Sequence, residues 1–311
     1  MNILITGGAG FIGSHLTEFH LSKNDEVVVV DNFVTGDKKN LPLESKDLKI
    51  IEADIVDYNF SELPKFDIIY DLASPASPKD FKTLSIEILK TNSLGLINVL
   101  DFFIKSDSKT LVFSSTSEVY GDPLEHPQKE SYFGNVNPNG IRSCYDEGKR
   151  FAEALMMAYF RKYKKDIRIA RIFNTYGPHM KNDDGRVVSN FVNQAIDSQP
   201  LTVYGDGSQT RSFCYVSDMV KGLYSLATAD NCAGEIINIG NPNEKTIMEI
   251  TDIIKKLVQS QSKVVFKTIG EDDPKKRCPD ITKAKKLLNW EPKVDLEEGL
   301  IKTIKYFKSL P

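Results

Sequence analysis

No stretch of this chain approaches the roughly 18 consecutive apolar residues of a membrane-spanning helix, so a membrane role is not expected. Cysteine is scarce: Cys144, Cys214, Cys232 and Cys278 are scattered and never form a C-x-x-C pair. That scatter does not suggest zinc; reduced thiols in a cytoplasmic protein are expected, and no metal. Runs of basic residues are missing, and the net charge is −3. Nucleic acid and anionic membrane surfaces call for a positive patch, so neither is an expected partner. Low-complexity segments and internal repeats are also missing. Strand character begins at Asn2, which predicts no leader peptide ahead of the fold.

What remains is an ordinary globular composition, with 41% hydrophobic and 27% charged residues in a chain of 311. That length suffices for one large or two small domains with a sizeable core. The most informative segment is the first. Residues 2–6 form a short apolar strand that runs into Gly7-Gly8-Ala9-Gly10-Phe11-Ile12-Gly13. The spacing G-x-x-G-x-x-G supplies a tight turn with no Cβ atoms in the way. The helix that follows offers free N–H groups and a positive dipole end, which suit a pyrophosphate. A second buried strand over 26–31 ends at Asp31, about 20 residues after the glycines, where an acid meets the adenosine ribose hydroxyls. Asp31 also repels a 2′-phosphate, so NAD is expected rather than NADP. A turn acid that merely ends the strand is the plainer alternative.

Strands are predicted further along at 48–53, 67–72, 110–114 and 167–172, with helices at 11–22, 86–105 and 145–164. Most of these strands are continuous apolar runs, as in sheets buried on both faces. The alternation predicts an α/β fold: a Rossmann-type, doubly wound parallel sheet with ligands at the carboxyl ends of its strands. After Tyr176 the rhythm breaks. A helix at 187–197, strands at 201–204 and 212–216, and helices at 218–228, 247–259 and 282–288 suggest a smaller C-terminal substrate-binding α/β domain. The expected division is 1–176, with 212–237, for the NAD-binding Rossmann domain, and 177–211 with 238–311 for the nucleotide-sugar-binding domain.

Two further segments carry chemistry. Tyr145-Asp146-Glu147-Gly148-Lys149 puts a phenol and an ammonium at i and i+4 on one helix face. A tyrosine pKa of about 10 falls beside a positive charge, and the phenolate can then take a proton from a substrate hydroxyl. Alone, such a pair is commonplace on amphipathic helices. Ser114-Ser115-Thr116-Ser117-Glu118-Val119-Tyr120-Gly121 places hydroxyls at the end of the fifth strand, where this architecture holds ligands. A hydrogen-bonded turn explains them equally well.

Together these segments resemble the extended short-chain dehydrogenase/reductase family. Within it, Leu72-Ala73-Ser74-Pro75-Ala76-Ser77-Pro78, the 115–123 segment, Cys144 through Arg150, Arg171 through Pro178, Asp184 through Phe191 and Gly207 through Arg211 are similar to the UDP-glucuronate decarboxylases. So are Asp272-Asp273-Pro274 through Arg277 to Ile281, and Trp290-Glu291-Pro292. The resemblance covers essentially the whole chain. It implies oxidation of UDP-glucuronate at C4, loss of the C6 carboxylate from the 4-keto sugar, and re-reduction to UDP-xylose by retained NADH. It implies Tyr145 as base, Lys149 tuning it, Thr116 on the same oxygen, and Ser117, Glu118 and Arg277 around the reacting sugar. It assigns the cofactor to Gly7, Gly10, Phe11, Ile12, Gly13, Asp31, Asn32, Thr35, Gly36, Asp54, Ile55, Leu72, Ser74, Thr91, Tyr145, Lys149 and Arg186. It assigns the sugar nucleotide to Lys90, Asn174, Tyr204, Arg211 and Arg277.

A homodimer through the 86–105 and 145–164 helices is implied in the same way. Because an arginine does not readily release a proton, Arg277 reads as a clamp on carboxylate or pyrophosphate; a structural ion pair is its alternative. Three positions depart from the pattern: Asp71 replaces a histidine, and Cys214 and Cys278 replace longer polar residues. Nucleotide-sugar 4,6-dehydratase and 4-epimerase activities stay open, as does a non-catalytic NAD-binding role. A dehydratase needs an acid for the leaving oxygen, and Ser117-Glu118 lacks the Asp-Glu pair usual there.

Overall fold

A computed structural model describes residues 1–268, 270 and 272–310. The first half alternates strand and helix: β1 (Asn2–Thr6), α1 (Phe11–Ser22), β2 (Glu26–Asp31), β3 (Leu48–Glu52), β4 (Ile68–Asp71), α2 (Ser85–Lys90), α3 (Leu96–Lys105), β5 (Thr110–Thr116), α4 (Ser143–Tyr163) and β6 (Asp166–Ile172). There follow β7 (Thr175–Tyr176), α5 (Val187–Ile196), β8 (Leu201–Tyr204), β9 (Thr210–Ser212), β10 (Cys214–Tyr215), α6 (Val216–Thr228) and β11 (Ile236–Ile239). The chain ends with β12 (Glu244–Thr246), α7 (Ile247–Val258), β13 (Val264–Lys267), β14 (Lys276–Arg277), α8 (Thr282–Leu288) and α9 (Leu296–Ser309).

Seven strands pair in parallel in the order β11-β6-β5-β4-β1-β2-β3. Outside the edge strand β3, side chains are mostly buried on both faces, in β4 and β5 along their whole length, which is why the sequence shows apolar runs instead of alternation. One apolar layer, with Leu16, Val220 and Leu223, covers one side of the sheet. Another, with Val99, Phe103, Ala152 and Met156, covers the other. The doubly wound α/β fold read from the sequence is the one that forms. Strand order reverses between β1 and β4, and a cleft opens there at the carboxyl ends, as this topology requires. Smaller sheets form from β12-β9-β14, β8 with β13 and β7 with β10.

Several boundaries differ from the sequence reading. The strand expected at 110–114 continues to Thr116, because Ser115 and Thr116 pair with Arg171 and Ile172. That extension carries Thr116 to the rim of the cleft. The helix expected over 86–105 is interrupted by a π turn at Thr91–Gly95. Asn92 causes part of this, since its Nδ2 donates back to the Ile88 carbonyl at 2.8 Å and to Ser74 Oγ at 2.9 Å. Side-chain bonding of this kind competes with the helical ladder. The strand expected at 212–216 is two strands broken at Phe213, and α6 begins at Val216. Neither β11 nor α9 was anticipated. Among the described residues no helix is long and apolar enough to cross a membrane.

The glycine turn is close-packed. A Cβ on Gly13 would lie 2.2 Å from the Gly7 carbonyl oxygen, and one on Gly7, at φ +69°, would lie 2.8 Å from the Ala73 backbone. Gly13→Ala should therefore lower stability by about 1–3 kcal/mol, the range for overpacking. Urea unfolding checks this: the midpoint should fall at unchanged slope, and an unmoved midpoint would show that the turn has room.

Candidate active site

The Gly7–Gly13 turn is held from below. Asp31 Oδ2 accepts from the Ala9 N–H at 2.9 Å and its Oδ1 from the Phe33 N–H at 2.8 Å. The Asp31 carboxylate is thus a buried brace for the turn as well as an acid at the end of β2. The N-terminus of α1 has no side-chain cap and no acidic residue in its first turn, so its N–H groups remain available to an anion. Turn and helix end together fit a dinucleotide pyrophosphate.

Across the cleft, α4 presents Tyr145 and Lys149. Both are buried. Lys149 Nζ donates to the Ser114 carbonyl at 2.8 Å and lies 4.6 Å from the Phe113 ring centre and 5.9 Å from that of Tyr145. Burial pushes its ammonium down to about 8, against the pull of Asp71 and Glu153. The Tyr145 ring stacks on Phe81 at 5.2 Å. Burial lifts its phenol to about 12, while Thr116 and Arg186 act in the opposite direction. Thr116 caps the turn Ser117–Tyr120 by accepting from the Glu118 N–H at 3.2 Å.

Glu118 is the charged centre. Its Oε2 accepts from Arg142 Nη2 at 2.6 Å, and its Oε1 lies 3.3 Å from Arg277 Nη1. Burial opposes its ionisation, yet Arg277 and Arg142 outweigh burial and hold the carboxyl well below its ordinary range. Arg277 itself is only 1% exposed and donates through Nη2 to the Gly121 carbonyl at 2.8 Å. Beside them Arg211 donates to the Thr210 and Pro274 carbonyls at 2.9 and 2.6 Å and pairs with Asp273 at 3.2 Å.

The segment after β4 is sewn to the segment before α5. Arg186 Nη2 donates to the Ala76 carbonyl at 2.9 Å, Lys79 pairs with Asp183 at 2.6 Å, and Ser77 Oγ donates to the Asp184 carbonyl.

Thr116, Glu118, Arg142, Tyr145, Lys149, Arg186, Arg211 and Arg277 line one cleft of about 510 Å³. Of the residues singled out in the sequence, it gathers Gly7, Gly10, Phe11, Ile12, Gly13, Thr35, Leu72, Ser74, Thr116, Ser117, Glu118, Tyr145, Lys149, Asn174, Arg186, Tyr204, Arg211 and Arg277. Asp31, Asn32, Gly36, Asp54, Ile55, Lys90 and Thr91 do not line it. Asn32 instead donates to Asp54 Oδ2 at 2.9 Å, Ile55 is core, and Lys90 is exposed on α2.

The sequence reading missed Arg142, Phe81 and Asp273, which all line the cleft. Arg142 had one local signal, its place one turn before Tyr145 at the start of α4. Phe81 had none, and Asp273 stood in the sequence only as part of the Asp272-Asp273-Pro274 motif, with no site role read from it.

The chain matches the family model described as GDP-mannose 4,6 dehydratase over residues 4–303. It is 51% identical over 311 residues to "UDP-glucuronic acid decarboxylase 1" of Arabidopsis thaliana, covering 99% of this chain and 70% of that one. It is 52% identical over 307 residues to "UDP-glucuronic acid decarboxylase 1" of Danio rerio, covering 98% and 72%. The chain belongs to the UDP-glucuronic acid decarboxylase family. Its fold is also that of a solved UDP-glucuronic acid 4-epimerase from Bacillus cereus, in complex with UDP-glucuronic acid and NAD, at a TM-score of 0.91, 29% identity and 99% coverage of both chains.

Within this decarboxylase family member, Asp146 follows Tyr145 in sequence and is 5% exposed. Its Oδ1, like Arg142 Nε, is buried without a hydrogen-bond partner among the described residues. Burial and the Glu118 charge push its carboxyl up from the ordinary 3.8. A raised acid favours the fold fully below its ordinary value, and its ionisation costs stability as pH rises toward the folded value. Asp146→Asn should thus raise stability at about pH 7 by on the order of 1 kcal/mol and leave it nearly unchanged at about pH 3.5. Urea midpoints at the two pH values test this, and an equal effect at both would remove the proposed titration.

Proposed function

We propose that the chain decarboxylates UDP-glucuronate to UDP-xylose and CO2 with NAD as cofactor. Half-identity over nearly the whole chain to proteins named for that decarboxylation carries the reading. The cofactor is proposed to lie along Gly7, Gly10, Phe11, Ile12 and Gly13, with Asp31 beneath its adenosine end. When bound, NAD supplies an acceptor for the C4 hydride and returns that hydride after CO2 has left. Everything else falls to the chain's own side chains.

Tyr145 takes the C4 hydroxyl proton. A phenol held at about 12 by burial is a poor base at neutral pH, so it needs added positive charge beside it. Lys149, with its Nζ 5.9 Å from the Tyr145 ring centre, provides that charge. Oxidation leaves a carbonyl β to the C6 carboxylate, so the C5–C6 bond can break with its electron pair passing into a C4–C5 enolate. Tyr145 and Thr116 then donate to the enolate oxygen, which stabilises charge where it develops; a water delivers a proton to C5 to restore the 4-ketone, and Tyr145 gives its proton back to the C4 oxygen as the hydride returns to C4. Arg277 is assigned to the substrate carboxylate or pyrophosphate and Arg211 to the pyrophosphate, where a guanidinium fork matches the oxygens. Ser117, Glu118 and Asn174 are assigned to the sugar, and Tyr204 to the uridine.

We also propose the division into an NAD-binding part, 1–176 with 212–237, and a nucleotide-sugar part, 177–211 with 238–311. A cytoplasmic location is proposed as well, on four cysteines that are all free and buried. A homodimer is favoured by the apolar side chains left exposed on the paired helices α2 and α4 and the turn between α2 and α3: Ile86 at 62%, Leu94 at 51% and Phe151 at 49%.

Two measurements test these assignments. Purified protein given UDP-glucuronate without added NAD should yield UDP-xylose and CO2 by NMR and mass spectrometry, and Tyr145→Phe should lower turnover at least ~10²-fold. A six-carbon product would overturn the reaction, and undiminished turnover by the variant would overturn the base. For the dimer, Ile86→Glu with Phe151→Glu should shift the sedimentation coefficient from dimer to monomer. A wild-type chain that sediments as a monomer at micromolar concentration would end that proposal.

A further inference from the structure

Three ligating side chains converge from segments far apart in the chain, away from Tyr145 and Lys149. His126 lies in the loop after Gly121, Glu244 opens β12, and Cys278 follows Arg277 directly after β14. One ligand atom from each lies within 4.8 Å of the other two. His126 Nε2 is 3.0 Å from Glu244 Oε2. Ligand atoms on one tetrahedral zinc ion are about 3–4 Å apart, so a small closure brings all three onto a common centre. We propose that His126, Glu244 and Cys278 form a binding site for one Zn²⁺ ion.

The surroundings already orient the ligands. Thr210 Oγ1 donates to Glu244 Oε1, which leaves Oε2 turned toward His126. Gln128 grips the Cys278 backbone on both sides: its Oε1 accepts from the Cys278 N–H at 2.9 Å, and its own N–H donates to the Cys278 carbonyl at 2.9 Å. Outer contacts of this kind fix ligand direction in metal sites. The donor set of imidazole, carboxylate and thiolate suits zinc, whereas magnesium and calcium prefer oxygen alone. His126 is exposed, so the fourth position faces solvent and takes water. An ordinary histidine–glutamate ion pair with a thiol nearby is the competing account.

Binding balances simply. The Cys278 thiol now donates to the Pro242 carbonyl at 3.3 Å. On binding, its proton leaves to solvent as the Sγ–Zn bond forms, and nothing is oxidised or reduced.

Position gives the site its interest. The small sheet runs β12-β9-β14. Glu244 belongs to one edge strand and Cys278 directly follows the other, while β9 between them carries Arg211 and β14 carries Arg277. A metal joining the two edges and the 126 loop would staple the sheet that presents both arginines to the cleft.

The test uses the full chain, stripped with a chelator and then dialysed against Zn²⁺ alone. One equivalent of zinc per chain is expected. Cys278→Ser and His126→Gln should each weaken binding more than tenfold. Zinc should also raise the melting temperature of the wild type but not of either variant, by linkage. Co²⁺ in place of Zn²⁺ should give a thiolate charge-transfer band that Cys278→Ser abolishes. Binding below one equivalent, or binding that survives both substitutions, leaves an ion pair and overturns the site. His126→Gln changes an exposed side chain, so its outcome stands even if Cys278→Ser folds poorly.

Discussion

A carboxylate removed from water costs several kcal/mol unless opposite charge goes with it. Glu118 meets that condition through Arg142 on one oxygen and Arg277 on the other. These partners lie far apart in the chain: Arg142 precedes α4, and Arg277 belongs to β14. Their shared anion therefore ties the small sheet β12-β9-β14 to the rim of the large one. Arg277 reinforces the tie by donating to the Gly121 carbonyl. Gly121 sits at φ +61°, and a Cβ there would come 2.0 Å from the Asn135 carbonyl oxygen, so the backbone of this junction leaves no room for another residue.

A second buried network supports the same rim from beneath. Arg171 on β6 pairs with Glu153 on α4 at 2.7 Å and donates to the Tyr120 hydroxyl at 2.9 Å. Ser115 donates to the same Glu153, and the Tyr120 hydroxyl donates to Asn238 on β11. Strands β5, β6 and β11 and helix α4 thus converge on one set of satisfied polar groups. Such networks are rigid when every member has a partner. Thr116 and Tyr145 sit on the elements so joined, and their relative placement follows from it.

What could be read from the sequence was what lies close along the chain. Gly7, Gly10 and Gly13 share one turn, Tyr145 and Lys149 one helix face, and Thr116 through Gly121 one strand end. Their spacing carries their meaning, because local geometry fixes which of them meet. Phe81 reaches the cleft through tertiary contacts that no local pattern encodes, and the pairing of Arg142 with Glu118 and of Asp273 with Arg211 is equally tertiary. The break at Phe213 and the π turn at Thr91–Gly95 were missed for a related reason: hydrophobic periodicity does not register a side chain such as Asn92 bonding back to its own helix.

The stitched segment beside the cleft bears on how firmly the cleft is walled. Three polar contacts, through Ser77, Lys79 and Arg186, join the stretch after β4 to the stretch before α5. Ser77, Lys79 and Arg186 also line the cleft, so this wall is cross-braced. Tyr204 stands 48% exposed at the cleft's margin. The two ends of the cleft therefore differ in restraint: one wall is cross-braced by three polar contacts, and the other ends in an open aromatic edge.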